Sequence, residues 1–255
     1  TLEVIKFATT RYDKPIHYIS TLSSAYQKDA EGSLSEVFPE ASYEELSGGY
    51  AISKWVAERL LTEVKDRGLP VQIYRSGYIS GQSDTGQANF NDSLFMLIKG
   101  CIQLGYAPNM AEKVSILPVD YVGQATVALS LAHPLRSTVY HIDHPAGIMW
   151  PDLIDWLNNY GYRVKLISIA DWKKLLPTLP QDNALFSFLP YYLAFPDDFE
   201  MTQVSVAHAT AELTRLDLPY PLIDDALLTV YFDFMCKDGF LSPPSTKKKI
   251  TVRDK

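Results

Sequence analysis

The stretch GGYAISKWVAERLL, residues 48–61, places Tyr50 four residues before Lys54 at the start of an amphipathic run. On a helix this spacing puts both side chains on one face, so the ammonium group can lie close to the phenol. A neighbouring cation stabilises the phenolate, which makes the phenol a usable proton donor near neutral pH. Reduction of a carbonyl needs such a donor, because hydride reaches the carbon and a proton must reach the oxygen. The pair alone is weak evidence, since a chain with 16 tyrosines contains about one Tyr-x-x-x-Lys by chance.

A second set of hydrogen-bond donors ends the apolar run of HYISTLSS, residues 17–24. In an open α/β sheet the carboxyl ends of the strands line the ligand crevice, so hydroxyls at that point face a bound ligand. We therefore predict that Thr21 donates to the reacting carbonyl. For Ser23 and Ser24 we favour a turn in which a hydroxyl bonds to the backbone.

The segment YRSGYISG, residues 74–81, supplies a third feature, because Gly77 and Gly81 follow a buried strand. Glycine at such a position lets the backbone approach a flat ligand such as a nicotinamide ring, although glycines that simply turn the chain would look the same. The order of the three segments carries more weight than any one of them. A strand with hydroxyls, a helix with Tyr and Lys, and a strand with a glycine turn follow one another at short intervals.

The elements that must position these residues alternate between strands and helices, which is typical of a parallel sheet covered by helices. After an opening helix, the pattern predicts strands at 15–20, 71–81 and 138–143, helices at 50–67 and 90–105, a strand running into a helix over 113–132, and a polar surface excursion over 27–47. Beyond Pro151 mostly helical segments follow.

The fold class indicated is α/β: the C-terminal part of a Rossmann-like parallel sheet with helices on both faces, plus a smaller, mostly helical substrate lobe. We predict a cofactor-binding domain over residues 1–150, with its helix 90–105 contributing to the lobe. The lobe itself is placed at 151–243, and a basic tail at 244–255.

Composition excludes several classes of function. A net charge of −7 argues against a nucleic-acid partner, since neutralising phosphates requires clustered Lys and Arg. No apolar run approaches the ~20 residues that span a bilayer, so no membrane segment is expected. Two cysteines far apart, Cys101 and Cys236, are typical of a reducing compartment, and we expect a cytoplasmic protein.

The quoted motifs, with the following GYISGQSDTGQANFND and SILPVDYVGQATVALS, resemble the extended short-chain dehydrogenase/reductases. More narrowly, they are similar to the terminal thioester reductase domains of nonribosomal peptide synthetases, polyketide synthases and aminoadipate reductases. The resemblance runs from residue 1 to about residue 243, where KDGFLSPP matches the usual end of such domains. It implies NADPH-dependent reduction of a carrier-protein-bound thioester to an aldehyde, and in some cases onward to an alcohol.

By position in these motifs, the resemblance makes Thr21, Tyr50 and Lys54 the catalytic residues. It also implies contacts to the cofactor and to the substrate, whose phosphopantetheine arm would belong to an acyl or peptidyl carrier protein. The cofactor contacts would be Tyr50, Lys54, Ser76, Gly77, Tyr78 and Ile79, and the substrate contacts Gln82, Ser83 and Asn89.

The chain departs from that family in two respects. It contains no Gly-x-x-Gly-x-x-Gly turn and no upstream strands for the adenosine, so the pyrophosphate has no helix N-terminus to bind. We therefore expect the chain alone to bind NADPH poorly, and upstream residues of the same polypeptide or a partner chain to complete the Rossmann fold. The second departure is Ser76, where the family usually has proline.

Two other interpretations stay open. A nucleotide-sugar epimerase or dehydratase would share Thr21, Tyr50 and Lys54, and a non-catalytic scaffold would explain the missing cofactor half.

The segment HIDHP, residues 141–145, contains two histidines and an aspartate, which are common metal ligands. Residues 141 and 143 of a strand share a face while 144 points away, so no metal site is predicted. FSFLPYYLAF, residues 186–195, is interpreted as buried packing in preference to a wall against an acyl chain.

Overall fold

The computed structural model describes residues 1–40, 42, 44, 46, 48–197 and 202–244. The contacts between these residues separate two compact units. The first unit contains residues 1–79, 115–145 and 202–221, and the second contains the described residues of 80–114, 146–201 and 222–255.

The elements follow one another along the chain as the alternating pattern predicted. The helices are α1 (Leu2–Ala8), α2 (Gly49–Asp66), α3 (Ser93–Leu104), α4 (Val119–Ala132), α5 (Trp150–Tyr160), α6 (Ile169–Leu175), α7 (Leu189–Leu193), α8 (Ala207–Arg215) and α9 (Asp225–Lys237). The strands are β1 (Ile16–Thr21), β2 (Val71–Ser76), β3 (Tyr106–Pro108), β4 (Lys113–Val114), β5 (Thr138–Ile142), β6 (Ile148–Met149) and β7 (Lys165–Ile167).

The first unit is built on a parallel sheet in the order β1, β2, β5. In its register Thr21 lies beside Ser76, and Ser76 beside Ile142, so the carboxyl ends of the three strands meet at one edge. Every residue of β2 and β5 is buried, whereas β1 leaves His17 and Ile19 exposed. This burial pattern indicates that β2 and β5 are covered on both faces, whereas β1 is partly open to solvent.

Helices cover both faces of this sheet. One core cluster contains Ile16, Leu61 and Val71, with β1, α2 and β2 contributing. The other contains Tyr74 and Leu129, with β2 and α4 contributing, and includes residues of α8. This arrangement of a parallel sheet between helical layers confirms the predicted fold class.

The units interleave along the chain. The sequence predicted a boundary near residue 150, with helix 90–105 contributing to the second lobe; residues 80–114 do belong to the second unit, but 202–221 belong to the first. The segment 202–221 joins the first unit because α8 packs beside β5. There the Glu36 carboxylate accepts backbone N–H bonds from His141 at 2.9 Å, His208 at 2.6 Å and Ala209 at 2.9 Å. One carboxylate thus links β5 to the first turn of α8, where donors lack intrahelical partners. The predicted basic tail at 244–255 lies outside the described residues, apart from Pro244.

The second unit is mostly helical, with two short strand pairs: β3 with β7 in parallel and β4 with β6 antiparallel. Its core contains Trp150 and Trp172, both fully buried. The backbone at Gly100 in α3 lies so close to Leu185 that an added Cβ would sit 2.3 Å from the Leu185 Cγ.

The segment 186–195 was predicted to be buried packing. Within it Tyr192 is buried, but Tyr191 is 61% exposed. No helix in the described residues is both long and apolar enough to span a bilayer.

A buried carboxyl in the second unit makes its stability depend on pH. Glu112 is 8% exposed, its Oε1 has no hydrogen-bond partner in the part of the chain that the structure describes, and burial raises its pKa from 4.5 to about 7. The folded protein therefore holds this proton more tightly than the unfolded chain. The contribution to stability is fully present below pH 4.5 and is lost as pH rises to about 7.

We predict that Glu112→Gln removes this loss. At pH 8 the variant should have a higher free energy of unfolding than the wild type, by up to roughly 3 kcal/mol, while at pH 4.5 the two should be similar. Urea denaturation between pH 4.5 and 8 measures the difference. Glu3→Gln is the control, because that side chain is 84% exposed. Equal pH slopes for the wild type and Glu112→Gln would contradict the assignment.

Candidate active site

Tyr50 and Lys54 lie on the first two turns of α2, which begins after Gly48, a residue with φ of 86°. The helix buries Ala51, Trp55, Glu58 and Leu61 against the unit, a spacing of three and four residues typical of a packed helix face. Tyr50 keeps its phenol open to solvent, since it is 62% exposed.

Lys54 extends toward the end of β1. Its Nζ donates to the backbone oxygen of Ile19 at 3.4 Å and lies 5.3 Å from the ring centroid of Tyr18. The ammonium is thus held two residues before Thr21, the last residue of β1. The structure brings Lys54 and Thr21 to the same end of one strand, with Tyr50 one helical turn away from Lys54.

Thr21 also organises the turn that follows β1. Its Oγ1 accepts a hydrogen bond from the Ser23 N–H at 3.2 Å, and its hydroxyl proton is directed to Ser23 Oγ at 3.3 Å. The backbone-bonded turn that we predicted for Ser23 and Ser24 therefore also uses Thr21, while the Ser24 hydroxyl donates to the Thr21 carbonyl at 2.7 Å. The turn therefore orients the Thr21 hydroxyl, whose proton must turn away from Ser23 Oγ to donate to a ligand.

The predicted cofactor contacts Ser76 and Gly77 lie at the end of β2, beside Thr21. Ser76 is buried, and its Oγ donates to the backbone oxygen of Ser20 at 3.3 Å. A Cβ at Gly77 would lie 2.0 Å from Asp143 Oδ1, so the absence of a side chain is required by packing against that carboxylate. This is a structural reason for the glycine that the sequence did not indicate.

Tyr78 and Ile79, also predicted to contact the cofactor, lead away from the sheet. The Tyr78 carbonyl accepts from the Leu117 N–H at 3.2 Å, and Ile79 forms an isolated bridge with the same residue. Ile79 also packs against the core cluster beneath α4, so part of its side chain has a packing role.

The predicted substrate contacts Gln82, Ser83 and Asn89 belong to the second unit. Gln82 Oε1 accepts backbone N–H bonds from Asp84 at 2.9 Å and Thr85 at 2.7 Å, which closes a tight turn. Asn89 is exposed, and its Oδ1 accepts a backbone N–H two residues further on, at 3.2 Å. Both side chains therefore shape the loop before α3.

A buried ion pair that sequence reasoning missed lies directly under the candidate site. Glu58 and Arg75 are 0% and 1% exposed, and the Arg75 Nη2 lies 2.6 Å from Glu58 Oε2. Arg75 Nε lies 3.1 Å from both carboxylate oxygens, and Glu58 Oε1 also accepts the hydroxyls of Ser20 and Ser24. A usable sequence signal existed, because an arginine within a buried strand requires an anionic partner.

His141 on β5 completes the surroundings of Arg75. Its Nε2 lies 3.2 Å from Arg75 Nη1, and its Nδ1 lies 2.9 Å from the Ser205 carbonyl oxygen. Burial, followed by the guanidinium charge, lowers the pKa of His141 to about 3. The imidazole is therefore neutral, with Nδ1–H donating to Ser205 and Nε2 accepting from Arg75.

These contacts also describe the HIDHP segment. Asp143 packs against Gly77, and His144 Nε2 donates to the Pro221 carbonyl at 2.9 Å. Over the described ranges of the chain, no three His, Cys, Asp or Glu side chains are grouped so that they could hold a metal ion.

Residues 1–126 match an NAD-binding family described as Male sterility protein. L-2-aminoadipate reductase of Saccharomyces cerevisiae is 32% identical over 222 residues, which cover 81% of this chain and 16% of that protein. The terminal R domain of the myxalamid PKS-NRPS biosynthetic pathway superposes with a TM-score of 0.86 at 31% identity, covering 95% of this chain and 63% of that one. The chain is similar to these reductases over most of its length. The relationship that the motifs indicated is thereby confirmed.

A second solved structure is the thiolation-reductase di-domain of an archaeal nonribosomal peptide synthetase. It superposes with a TM-score of 0.76 at 27% identity, covering 94% of this chain and 52% of that one. The chain therefore spans less than two thirds of each of these three proteins. The match of residues 1–126 to an NAD-binding family supports a nicotinamide cofactor in this family.

We predict that Gly77→Ala destabilises the first unit by about 1–3 kcal/mol, because the new methyl group must displace a buried carboxylate. The measurement is the midpoint of chemical denaturation. The matched control is Gly123→Ala in α4, where no atom lies within 4 Å of the added Cβ and alanine favours the helix. If the two variants have equal stability, the close packing at Gly77 is not required.

Proposed function

We propose that this chain carries the catalytic residues of an NADPH-dependent reductase that releases a carrier-bound acyl or peptidyl thioester as an aldehyde or alcohol. The observation that carries the proposal is the placement of Lys54. Its ammonium donates to the carbonyl of Ile19, two residues before Thr21 at the end of β1, while the phenol of Tyr50 is open to solvent on the same helix.

The donor set of this site fits a nicotinamide cofactor and a carbonyl substrate. An ammonium and an oriented hydroxyl lie near the carboxyl end of a parallel strand, the usual edge for ligands in such sheets, and an exposed phenol lies one helical turn before the ammonium. Lys54 and Tyr50 would hold the nicotinamide ribose through its hydroxyl oxygens. When bound, the cofactor supplies the hydride that reaches the thioester carbonyl carbon. The choice of NADPH rather than NADH follows from the family resemblance.

The side chains of this chain would manage the charge that develops on the oxygen. Thr21 and Tyr50 donate hydrogen bonds to the oxyanion, and Tyr50 transfers its proton to it. Lys54 stabilises the phenolate that remains. The resulting hemithioacetal then collapses: its hydroxyl proton returns to the Tyr50 phenolate, its carbon–sulfur bond breaks, the carrier leaves as a thiolate and the aldehyde forms.

Two partners belong to this proposal. The outer edge of β1 has no strand beside it among the described residues, and Ile19 is 46% exposed, which suits the addition of a parallel strand. We assign that strand to upstream residues of the same polypeptide or to a partner chain. The second partner is an acyl or peptidyl carrier protein, in keeping with the thiolation-reductase pairing in the archaeal relative.

We predict that Tyr50→Phe, made in the complete protein, lowers aldehyde release by roughly 10²- to 10⁴-fold, because the proton donor is lost while the ring remains. The assay follows NADPH absorbance with a carrier-bound thioester. Tyr12→Phe is the control, since that tyrosine is 78% exposed and lies far from α2 in sequence. Unchanged turnover in Tyr50→Phe would remove Tyr50 from the mechanism.

Substrate class is tested separately. The complete protein should oxidise NADPH in the presence of a matched carrier-bound acyl thioester, and should leave UDP- and dTDP-sugars unchanged. Conversion of a nucleotide sugar without thioester reduction would instead support an epimerase or dehydratase. If neither substrate is turned over, a non-catalytic scaffold is the better account.

A further inference from the structure

We infer that Glu58 is a positioning residue for catalysis: its carboxylate holds the Thr21 segment against α2, so that Thr21 and Tyr50 meet the same carbonyl oxygen. The inference rests on the proposed function, because it assigns Glu58 a role in placing those two donors.

The carboxylate binds both ends of the segment that carries Thr21. Glu58 Oε1 accepts the hydroxyl of Ser20, which precedes Thr21, and the hydroxyl of Ser24, which follows it, the latter at 2.7 Å. Ser24 Oγ lies equally close, at 2.7 Å, to the Thr21 carbonyl oxygen, so its single proton is shared between the two acceptors. A single group on α2 therefore fixes the residues on either side of Thr21 and, through Ser24, its backbone.

The same carboxylate fixes the register of the helix. Glu58 lies one turn after Lys54 and two turns after Tyr50, so all three side chains stand along one side of α2. The Lys54 bond to the Ile19 carbonyl is a second attachment of the same helix to β1. Together the two attachments determine how far Tyr50 stands from Thr21.

Arg75 is what allows a carboxylate to occupy this position. An ionised carboxylate with no solvent exposure is tolerated only when it is paired and hydrogen-bonded, and the guanidinium contributes contacts at 2.6 and 3.1 Å. The neutral imidazole of His141 and the Ser35 carbonyl, at 3.2 and 3.4 Å, accept from the remaining Nη1. Besides α2 and β2, the segment around Ser35 and the strand β5 therefore also hold the Glu58–Arg75 pair in place.

If the Glu58–Arg75 ion pair were purely structural, it would stabilise the fold without acting through Thr21. A double-mutant cycle that combines Ser24→Ala with Thr21→Val separates this structural role from a positioning role. Ser24→Ala removes one hydroxyl and no charge, so the complete protein should remain folded. We expect turnover at saturating thioester to fall about ten- to a hundredfold, because small displacements of reacting groups are costly. In a Thr21→Val background the same change should lower turnover by less than about twofold, since the donor to be positioned is already absent.

Glu58→Gln should repeat this behaviour with a larger loss, and the thermal melting curve shows whether the variant folds. Where it does not fold, the Ser24→Ala cycle decides the question. Glu63→Gln on the same helix is the control and should leave turnover unchanged, because its ion pair with Arg59 is 55% exposed on the carboxylate side.

The positioning role is overturned if Ser24→Ala keeps wild-type turnover, or if its effect is equally large with and without the Thr21 hydroxyl. Tyr50→Phe distinguishes this failure from failure of the proposed function. An active Tyr50→Phe would refute the proposed function. An inactive Tyr50→Phe combined with independent effects in the cycle would refute only the role of Glu58.

Discussion

A carboxylate without solvent contact, paired with an arginine inside a parallel sheet, is the interaction on which the first unit depends. Glu58 and Arg75 join α2 to β2, and the serine hydroxyls of the β1 end join the same carboxylate. Removal of either charged partner would leave the other uncompensated in a buried site, which typically costs about 3–5 kcal/mol. The Nη1 of Arg75 also lies 3.4 Å from the Ser35 carbonyl oxygen and 3.2 Å from Nε2 of the neutral His141, so the guanidinium is held by groups other than Glu58 as well.

The site builds on that constraint. A parallel sheet places the ends of β1 and β2 at one edge, and α2 brings the Lys54 ammonium to the Ile19 carbonyl near that edge, with the exposed Tyr50 one helical turn earlier. The donors therefore need little rearrangement to meet a carbonyl, which is the form of preorganisation that electrostatic catalysis requires. In the proposed function the fold supplies the geometry, and Thr21, Tyr50 and Lys54 supply the chemistry.

Local patterns in the sequence predicted much of this. The strands around His17 and Ile73 and the helix from Gly49 follow from hydrophobic periodicity, and the structure contains each element. The network around Glu58 did not follow, because its partner Arg75 is 17 residues away and periodicity does not identify long-range polar pairs.

The division into units was harder to predict for a similar reason. The segment 202–221 returns to the first unit through a carboxylate at Glu36 that accepts from β5 and α8, a contact spanning more than 170 residues. The sequence predicts a ligand contact at Gly77, and the structure adds a second reason for the glycine, because Asp143 leaves no room for a side chain there. In both cases the deciding contact is tertiary.

The central claim is that the donors at the end of β1 serve hydride addition to a carrier-bound thioester. The most direct measurement uses NADPH deuterated at both C4 positions of its dihydronicotinamide ring, mixed with the complete protein and an acyl-carrier thioester. The account predicts an aldehyde with deuterium on its carbonyl carbon and one NADPH oxidised for each carrier thiol released. Release of the thiol with formation of a free acid, and no oxidation of NADPH, would contradict it.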